Sequence, residues 1–288
     1  MTPRNVLTND GSATLYSDRY RQHYHNIAGA LTESRHVFFE RTGLFEALKS
    51  HRDITICETG FGSGFHLILM EWLRHLTGSR STVFYYSVEK HPVPPDQIRG
   101  MGFEKLFPGV SGKGDDEAAE GPAGEASPIA GRVPSPPLTP NSLGRLADLA
   151  EALYAADSGA TVSSTMTGQG GQTFAHIYRG DFFDWDLSQI HQPAHFFLHD
   201  AFSPDANPEL WTKEAFSKLL QAADSRAMLG TYCSATRARA AMVLAGWHVA
   251  RAAGPPGKRE MTLASSDEAM LEGYKPVNAE RLRERFGT

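Results

Sequence analysis

The stretch from Ile54 to Met70 constrains the fold of this chain more than any other. It reads Ile-Thr-Ile-Cys-Glu-Thr-Gly-Phe-Gly-Ser-Gly and continues as Phe-His-Leu-Ile-Leu-Met. A short β-branched run, an acid, three alternating glycines and an apolar stretch predict a buried strand, a tight turn and a helix. Glycines allow the backbone to pass close to a ligand where a side chain would collide. We therefore expect a β-α unit whose turn is a candidate ligand site.

The spacing of the glycines indicates the kind of ligand. A dinucleotide-binding turn has the pattern G-x-G-x-x-G, whereas this turn has E-x-G-x-G-x-G. The pattern disfavours a nicotinamide oxidoreductase and is similar to the turn of Rossmann-like methyltransferases that use S-adenosylmethionine. The carboxylate of Glu58 can pair with the ammonium group of that cofactor. A glycine-rich turn without a ligand is the alternative.

Composition excludes several classes of protein. The chain has 288 residues and two cysteines, Cys57 and Cys233, so it has no disulfide framework and suits a reducing compartment. It lacks a run of about 18 apolar residues, which a membrane-spanning helix needs. Its N-terminus has no apolar stretch typical of a signal peptide. We expect a cytoplasmic protein without a membrane partner.

Acidic residues follow four predicted strands at the same relative position. Glu58 closes the first strand, Glu89 follows a strand over 82–88, Asp181 follows one over 173–178, and Asp200 follows one over 195–198. In open α/β sheets ligands lie outside the carboxyl ends of the strands. We expect Glu89 to accept from two ribose hydroxyls. Asp181 and the next aromatic ring suit adenine, although a capped turn is the alternative reading of Asp181.

Further elements follow from periodicity and breakers. We predict one domain over 1–288, with a lid-like segment over 1–50 and a low-complexity surface insertion over about 109–172. The side chains of 24–39 suit a lid better than a core. Within the insertion, leucines at helical spacing predict a helix over 143–156, and a polar loop is expected over 158–172. The remaining predictions are helices over 42–48, 65–77, 208–220, 236–244 and 279–286, and strands over 226–233, 247–252 and 258–263.

Charge is distributed unevenly along the chain. The net charge is −5, and the eight acids and three bases of 111–157 account for all of it (3 − 8 = −5), so the remainder is neutral. Within that remainder, 226–261 holds six bases against Glu260: Arg226, Arg237, Arg239, Arg251, Lys258 and Arg259. Such a face can contact phosphates. A solvated surface is the alternative.

Longer blocks of sequence identify a family. Asp200-Ala-Phe-Ser-Pro with Pro208-Glu-Leu-Trp-Thr, and Gly254-Pro-Pro-Gly-Lys-Arg-Glu-Met, accompany the Glu58 turn, Glu89-Lys90 and Gly180-Asp181. Together they resemble the methyltransferase component of the bacterial tRNA 5-methylaminomethyl-2-thiouridine biosynthesis enzyme, including its stand-alone forms. The resemblance implies an α/β, Rossmann-like class I methyltransferase with a mostly parallel seven-stranded sheet and an antiparallel last strand. His66, where the family often has Asn, and the insertion depart from the pattern.

The resemblance also implies a reaction and its residues. It implies N-methylation of the 5-aminomethyl group of a tRNA wobble (2-thio)uridine by S-adenosylmethionine, with Asp200 as the catalytic residue. The cofactor residues would be Glu58, Gly60, Phe61, Gly62, Gly64, Glu89, Lys90, Asp181 and Phe182. The substrate residues would be Phe202, Ser203, Pro204, Arg239, Lys258 and Arg259. Trp211 could stack on the base, but at helical spacing with Phe216 it suits a core better.

The expected partners are tRNA and a separate FAD-dependent oxidase. The chain is too short for the oxidase domain of the bifunctional members and lacks a second glycine motif, so neither FAD nor a metal is expected. No oligomeric state is indicated. Two other functions remain open: a methyltransferase of a small amine or protein, and a non-catalytic domain that binds S-adenosylmethionine. Salt-sensitive activity on tRNA would separate the first of these from a tRNA enzyme.

Overall fold

The computed structural model describes residues 4–106, 140–167 and 171–287, in which one large mixed sheet is covered by helices. A second, small antiparallel sheet is formed by β1 to β3 near the N-terminus. The strands are β1 Arg4–Leu7, β2 Ala13–Ser17, β3 Gln22–His23, β4 Ile54–Thr59, β5 Val83–Glu89, β6 Thr161–Thr167, β7 Gln172–Arg179, β8 Ala194–His199, β9 Ala223–Thr231, β10 His248–Ala253, β11 Glu260–Ser265 and β12 Lys275–Pro276.

The large sheet has the order β12-β10-β11-β9-β8-β4-β5-β7-β6 among the described residues. β4 lies at the centre of the five parallel strands and pairs with β5 and β8, while β7 and β9 extend this parallel part on either side. β11 is antiparallel to both β9 and β10. The expected seven-stranded sheet with an antiparallel last strand is therefore confirmed, and β6 and β12 add an antiparallel strand at each edge.

The helices match most of the predicted ones. They are α1 Ala30–Ser34, α2 Leu44–Lys49, α3 Phe65–Thr77, α4 Pro95–Arg99, α5 Phe103–Leu106, α6 Pro140–Ala155, α7 Lys213–Gln221, α8 Thr236–Ala245 and α9 Ala279–Phe286, with a π-helical turn over Arg35–Glu40. The predicted helix over 208–220 is two elements, a 3-10 turn over Pro208–Trp211 followed by α7. Thr212 separates them because its hydroxyl accepts from the amide of Ala215 and caps α7.

Helix α3 is almost wholly buried, which explains its apolar sequence. It begins after Gly64 and ends at Gly78, and both glycines have left-handed φ angles, 75° and 60°. Its described neighbours include α2 and α6. Because both faces are covered, Phe65, Leu67 and Met70 are all buried despite lying on different sides of the helix. The glycine turn is thereby held rigidly between β4 and α3.

The region predicted as an insertion contributes to the sheet and the core. The helix predicted over 143–156 is confirmed as α6, and its Leu146, Leu149 and Leu153 are buried in the main core. The polar loop expected over 158–172 is wrong for 161–167, which form β6 against β7. Its Thr-Val-Ser-Ser-Thr-Met-Thr run has one half-covered face and one exposed face, as suits a polar edge strand. Residues 107–139 lie outside the described part.

The N-terminal segment has two roles. The expectation that 24–39 suit a lid better than a core is wrong for Val37, Phe38 and Phe39, which are fully buried. Tyr20 and Tyr24 instead face the open end of the large sheet, where they line a cavity.

No helix of the described residues is long and apolar enough to cross a membrane.

Candidate active site

A cavity opens at the carboxyl ends of β4, β5, β7 and β8, where the four acids meet. Its empty volume is about 860 Å³, counted out to its solvent-open mouth. That size is in the range typical of sites for small ligands. The side chains and loops that line it include Tyr20, Tyr24, His25, Glu58, Gly60, Phe61, Gly62, His66, Glu89, Lys90, His91, Asp181, Phe182, Asp200, Phe202, Asn207 and Glu209.

Glu58 lies at the floor of this cavity in a closed hydrogen-bond network. One carboxyl oxygen lies 2.8 Å from Nδ1 of His66, and the other accepts from the hydroxyl of Ser87 at 2.8 Å. Nε2 of His66 lies 3.0 Å from the hydroxyl of Ser34. Burial raises the pKa of Glu58 to about 8 and lowers the pKa of His66 to about 3. A cation bound beside Glu58 would therefore stabilise its ionised form.

The glycine loop brings the backbone close to other groups at two points. A Cβ on Gly60 would lie 3.3 Å from the carbonyl oxygen of Asp200, and one on Gly62 would lie 3.1 Å from the ring of Tyr24. Both residues also have positive φ angles, 93° and 55°. Only glycine suits both the conformation and the space. The loop therefore packs closely against Asp200 and Tyr24 while it lines the cavity.

Glu89 is positioned by the backbone around it. Its two carboxyl oxygens accept from the amides of Gly62 and His91 at 2.8 and 2.7 Å. Each carboxylate oxygen has a further lone pair for a donor in the cavity. Next to it, the ammonium of Lys90 pairs with Asp181 at 2.7 Å, and hydrogen bonding to Lys90 lowers the pKa of Asp181. The end of β5 thus offers a hydrogen-bond acceptor, Glu89, whereas the acid that follows β7, Asp181, is already paired with Lys90.

Asp200 occupies the end of β8 with its side chain only 11% exposed. One carboxyl oxygen lies 3.8 Å from Nε2 of His25 and 3.9 Å from Nε2 of His66. Burial, reinforced by the nearby charges of Glu33 and Glu58, raises the pKa of Asp200 well above its ordinary value. Burial also lowers the pKa of His25 to about 3, so both imidazoles are neutral. A base with a raised pKa is thus placed inside the cavity.

Aromatic rings form the wall beyond Asp200. Phe202 stacks on Tyr20 with ring centroids 4.2 Å apart, and the edge of Tyr24 meets Phe202 at 5.0 Å. Ser203 holds the wall to the N-terminal sheet, because its hydroxyl accepts from the Gln22 amide at 2.6 Å. The wall offers a flat apolar surface of the kind on which a base can stack.

A more open groove continues from this wall. It is lined by Ser203, Pro204, Tyr232, Cys233, Arg251, Lys258, Arg259 and Glu260. The ammonium of Lys258 pairs with the carboxylate of Glu33 at 2.6 Å and lies 4.4 Å from the centre of the Tyr232 ring. Arg259 is exposed and has no ion pair with another described residue. The groove therefore combines an aromatic floor with cationic side chains.

Known proteins similar to this chain are methyltransferases or contain the corresponding region. A family profile described as S-adenosyl-L-methionine-dependent methyltransferase matches residues 146–267. The tRNA 5-methylaminomethyl-2-thiouridine biosynthesis bifunctional protein MnmC of Burkholderia mallei is 31% identical over 258 residues, which are 89% of this chain and 34% of that protein. The MnmC protein of Cupriavidus necator is 29% identical over 87% of this chain and 32% of its own length.

These matches agree on one kind of protein. The chain is an S-adenosyl-L-methionine-dependent methyltransferase, and over most of its length it is similar to the MnmC proteins. This methyltransferase spans about a third of the length of the relatives that it matches. The crystal structure of MNMC2 from Aquifex aeolicus has the same fold, with a TM-score of 0.63 at 22% identity over 99% of this chain and 76% of that one. The resemblance predicted from sequence is confirmed.

The cavity of the methyltransferase fits S-adenosylmethionine, the cofactor of its family. Buried Glu58 suits the cofactor's ammonium group, and Glu89 has free lone pairs for the ribose hydroxyls. Phe182 lines the cavity beside Asp181, where an adenine ring can pack. Gly60 and Gly62 line the same space. Most residues predicted for the cofactor therefore lie around one space.

Two predicted site residues lie elsewhere. Gly64 does not line the cavity; a Cβ there would lie 2.5 Å from a methyl group of Leu146, so the glycine serves helix packing. Arg239 is 8% exposed, and its guanidinium donates to Thr262, Met261 and Glu260. Its guanidinium supports β11 and also lines a surface groove outside the active-site cavity, so its phosphate contact stays a prediction.

Trp211 and three N-terminal residues lie near the cavity in different roles. Trp211 is 6% exposed, and its indole N–H donates to the carbonyl of Phe202, so its expected core role is confirmed. Tyr20, Tyr24 and His25 line the cavity, although no sequence motif marks them as site residues. The pairing of β2 with β3, which positions this segment, has only two residue pairs and no clear sequence pattern.

Proposed function

We propose that this methyltransferase transfers a methyl group to the 5-aminomethyl group of a tRNA wobble (2-thio)uridine, giving the 5-methylaminomethyl derivative. The single observation that carries the proposal is the position of Asp200, a buried carboxyl between the cofactor residues and the stacked rings of Phe202 and Tyr20. The name of the MnmC relatives, which refers to this tRNA modification, supports the choice of substrate.

Asp200 prepares the nucleophile in this proposal. A primary amine is largely protonated at neutral pH and attacks a methyl group only when it is neutral. The carboxylate of Asp200 accepts a hydrogen bond from the ammonium and takes its proton, and its raised pKa makes it a stronger base than an exposed aspartate. When bound, S-adenosylmethionine supplies the electrophilic methyl group. Holding the amine in line with that methyl group provides most of the acceleration.

The aromatic wall binds the base. A nucleobase of an anticodon loop can leave the stack and be recognised on aromatic side chains. Phe202 and Tyr20 offer such a surface beside Asp200, and Pro204 continues it toward the groove. Within the lid-like segment predicted over 1–50, we assign the covering role to Tyr20 and Tyr24, because both line the cavity and the Tyr24 ring lies against Gly62.

Basic side chains beside the wall meet the RNA backbone. Lys258 and exposed Arg259 lie in the groove next to Pro204. A neighbouring groove shares Arg251 with it and is also lined by Arg281 and Arg285 of α9. Phosphate contacts of this kind position a nucleic acid without reading its sequence. A separate FAD-dependent oxidase supplies the aminomethyl substrate in our proposal, and the cytoplasm is the location that it implies.

The proposal is tested by the destination of the transferred methyl group. The protein is incubated with radiolabelled S-adenosylmethionine and either bulk tRNA from cells lacking this modification, a panel of primary amines, or protein extract. We expect label in tRNA alone, with a rate that falls steeply as salt rises. Label in the amines or the protein extract would support the alternative methyltransferase. Calorimetric binding of the cofactor without any transfer would support the non-catalytic alternative.

A further inference from the structure

His25, His66 and Asp200 form a cluster that the methyl-transfer proposal uses only in part. Each presents one ligand atom toward a common point, and these atoms all lie within 4.8 Å of one another. Both histidines are buried. Two imidazole nitrogens and a carboxylate oxygen are a donor set that Zn²⁺ accepts in proteins.

The distances need only a small adjustment to hold an ion. The Asp200 oxygen lies 3.8 Å from Nε2 of His25 and 3.9 Å from Nε2 of His66. Zinc binds such atoms at about 2.1 Å, which requires each ligand to move inward by roughly 0.4 Å. Side-chain rotation alone can supply a movement of this size.

The surroundings of His66 match those of a metal ligand. Its Nδ1 lies 2.8 Å from the Glu58 carboxyl, which fixes the ring and leaves Nε2 to face Asp200. A carboxylate on the far nitrogen of a histidine is the usual outer support of a zinc site. Ser34, 3.0 Å from Nε2, is a neutral partner that an ion would displace.

His25 provides a second, independent observation. Its ring is only 6% exposed, its Nδ1 has no hydrogen-bond partner among the described residues, and its Nε2 faces the Asp200 carboxyl. A buried polar ring that has so few partners is costly unless something binds it. An ion between His25, His66 and Asp200 would give this ring a direct partner at Nε2, which lies 3.8 Å from the Asp200 oxygen.

We propose that His25, His66 and Asp200 bind a Zn²⁺ ion. Open coordination positions toward the cavity are filled by water. If Asp200 also receives the substrate amine, as the proposed function has it, metal and substrate compete for this carboxylate. The three ligands are far apart in the chain, which is why the sequence alone predicted no metal.

Cobalt serves as the probe of this site. Tag-free protein is dialysed against a chelator and titrated with Co²⁺, with neither cofactor nor tRNA present, while visible absorption is recorded. We expect a saturable band at one ion per chain that Zn²⁺ abolishes. His25→Asn and His66→Asn should each weaken binding by at least about tenfold, as loss of a metal contact does. The exposed His248→Asn is the matched control and should bind as the wild type does.

The absence of a saturable band would overturn the proposal, as would unchanged affinity in both cluster variants. Circular dichroism verifies that each variant is folded. If a variant fails to fold, X-ray absorption of the zinc-loaded wild type decides: two imidazole ligands support the site, and fewer than two contradict it. Because no methyl donor or RNA is present, the result is independent of the proposed function.

Discussion

At the scale of single residues, three of the four acids of the site, Glu58, Glu89 and Asp200, are buried without an ion pair to a Lys or Arg of the described residues. Burial raises the pKa of Glu58, Glu89 and Asp200. Removing a carboxylate from water disfavours its charge unless a cation is near. A cofactor with an ammonium and a sulfonium, together with an amine substrate, provides such cations. These acids therefore bind cationic ligands more tightly than exposed acids would, because each bound cation offsets the free-energy cost of removing a charged carboxylate from water.

Replacing Asp200 tests the proposed base. Asp200→Asn keeps the shape and the hydrogen-bonding oxygen but cannot take a proton, so the rate of methyl transfer to tRNA should fall by about 10²-fold or more. Calorimetry should give cofactor affinity close to that of the wild type.

Asp205→Asn is the matched control, since this exposed aspartate lies on the same loop. It should retain the wild-type rate. Full activity in Asp200→Asn would remove Asp200 from the chemistry.

The affinity for S-adenosylmethionine should depend on pH through Glu58. The pKa of about 8 means that the carboxyl is protonated at neutral pH when no ligand is present. Pairing with an ammonium lowers that pKa, so binding releases a proton and tightens as pH rises toward about 8, by up to about tenfold per pH unit. Titration calorimetry in buffers of different ionisation enthalpy measures the released proton.

Glu58→Gln cannot release this proton and should bind more weakly with a shallower dependence on pH. If affinity in the wild type is flat, or falls with rising pH, then Glu58 does not pair with the cofactor's ammonium.

At the scale of elements, the strand ends could be predicted from sequence, but several tertiary partners could not. The parallel strands have β-branched cores and end in acids, so Glu58, Glu89, Asp181 and Asp200 were placed correctly at one edge. Strand β6 was missed because polar residues such as Thr and Ser are shared by loops and edge strands.

The roles of Gly64 and Arg239 depend on contacts that sequence patterns do not contain. The contact of Gly64 with Leu146 joins residues on either side of 107–139. The guanidinium of Arg239 bonds to the neighbouring β11, which packs against the helix only in the folded chain. Local patterns predicted the glycine turn and the basic character of 226–261, but not which members of each face the cavity.

Substitution at Gly64 distinguishes packing from ligand contact. The side chain of Gly64→Ala would collide with Leu146, and its backbone would be strained at a φ of 75°. The free energy of unfolding should therefore fall by about 1–3 kcal/mol. Gly144 lies within α6 with nothing near its would-be Cβ. Gly144→Ala is the matched control and should be neutral or stabilising by up to about 1 kcal/mol.

Both free energies are measured by chemical denaturation without ligand. If Gly64→Ala unfolds like the wild type but binds S-adenosylmethionine weakly, the glycine is a ligand contact after all.

At the scale of the whole molecule, the active-site cavity opens beside two grooves with cationic linings. Lys258 and Arg259 lie in the first groove, and Arg281 and Arg285 of α9 lie in the second. Arg251 lines both. The net charge of the chain is −5, so the rest of the chain outside this basic surface is acidic. We expect the anticodon arm of a tRNA to lie along both grooves when its base enters the cavity.

Charge reversal on α9 tests that footprint. Arg281→Glu with Arg285→Glu should weaken tRNA binding and lower the slope of affinity against salt by about two phosphate contacts. Arg283 lies on the same helix but lines a different cavity, so Arg283→Glu should change both quantities much less. Fluorescence anisotropy over a salt series measures them. Equal effects of Arg283→Glu and the double variant would show a general charge effect instead of a groove.

The most direct test of the central claim is nucleoside mass analysis of tRNA after reaction. The tRNA comes from cells that accumulate 5-aminomethyl-(2-thio)uridine, and it is digested after incubation with this protein and S-adenosylmethionine. We predict that the aminomethyl nucleoside disappears and that a nucleoside heavier by one methylene replaces it, with wild-type protein but not with Asp200→Asn. Persistence of the aminomethyl nucleoside with cofactor-loaded wild-type protein, or methylation of another nucleoside, would contradict the account.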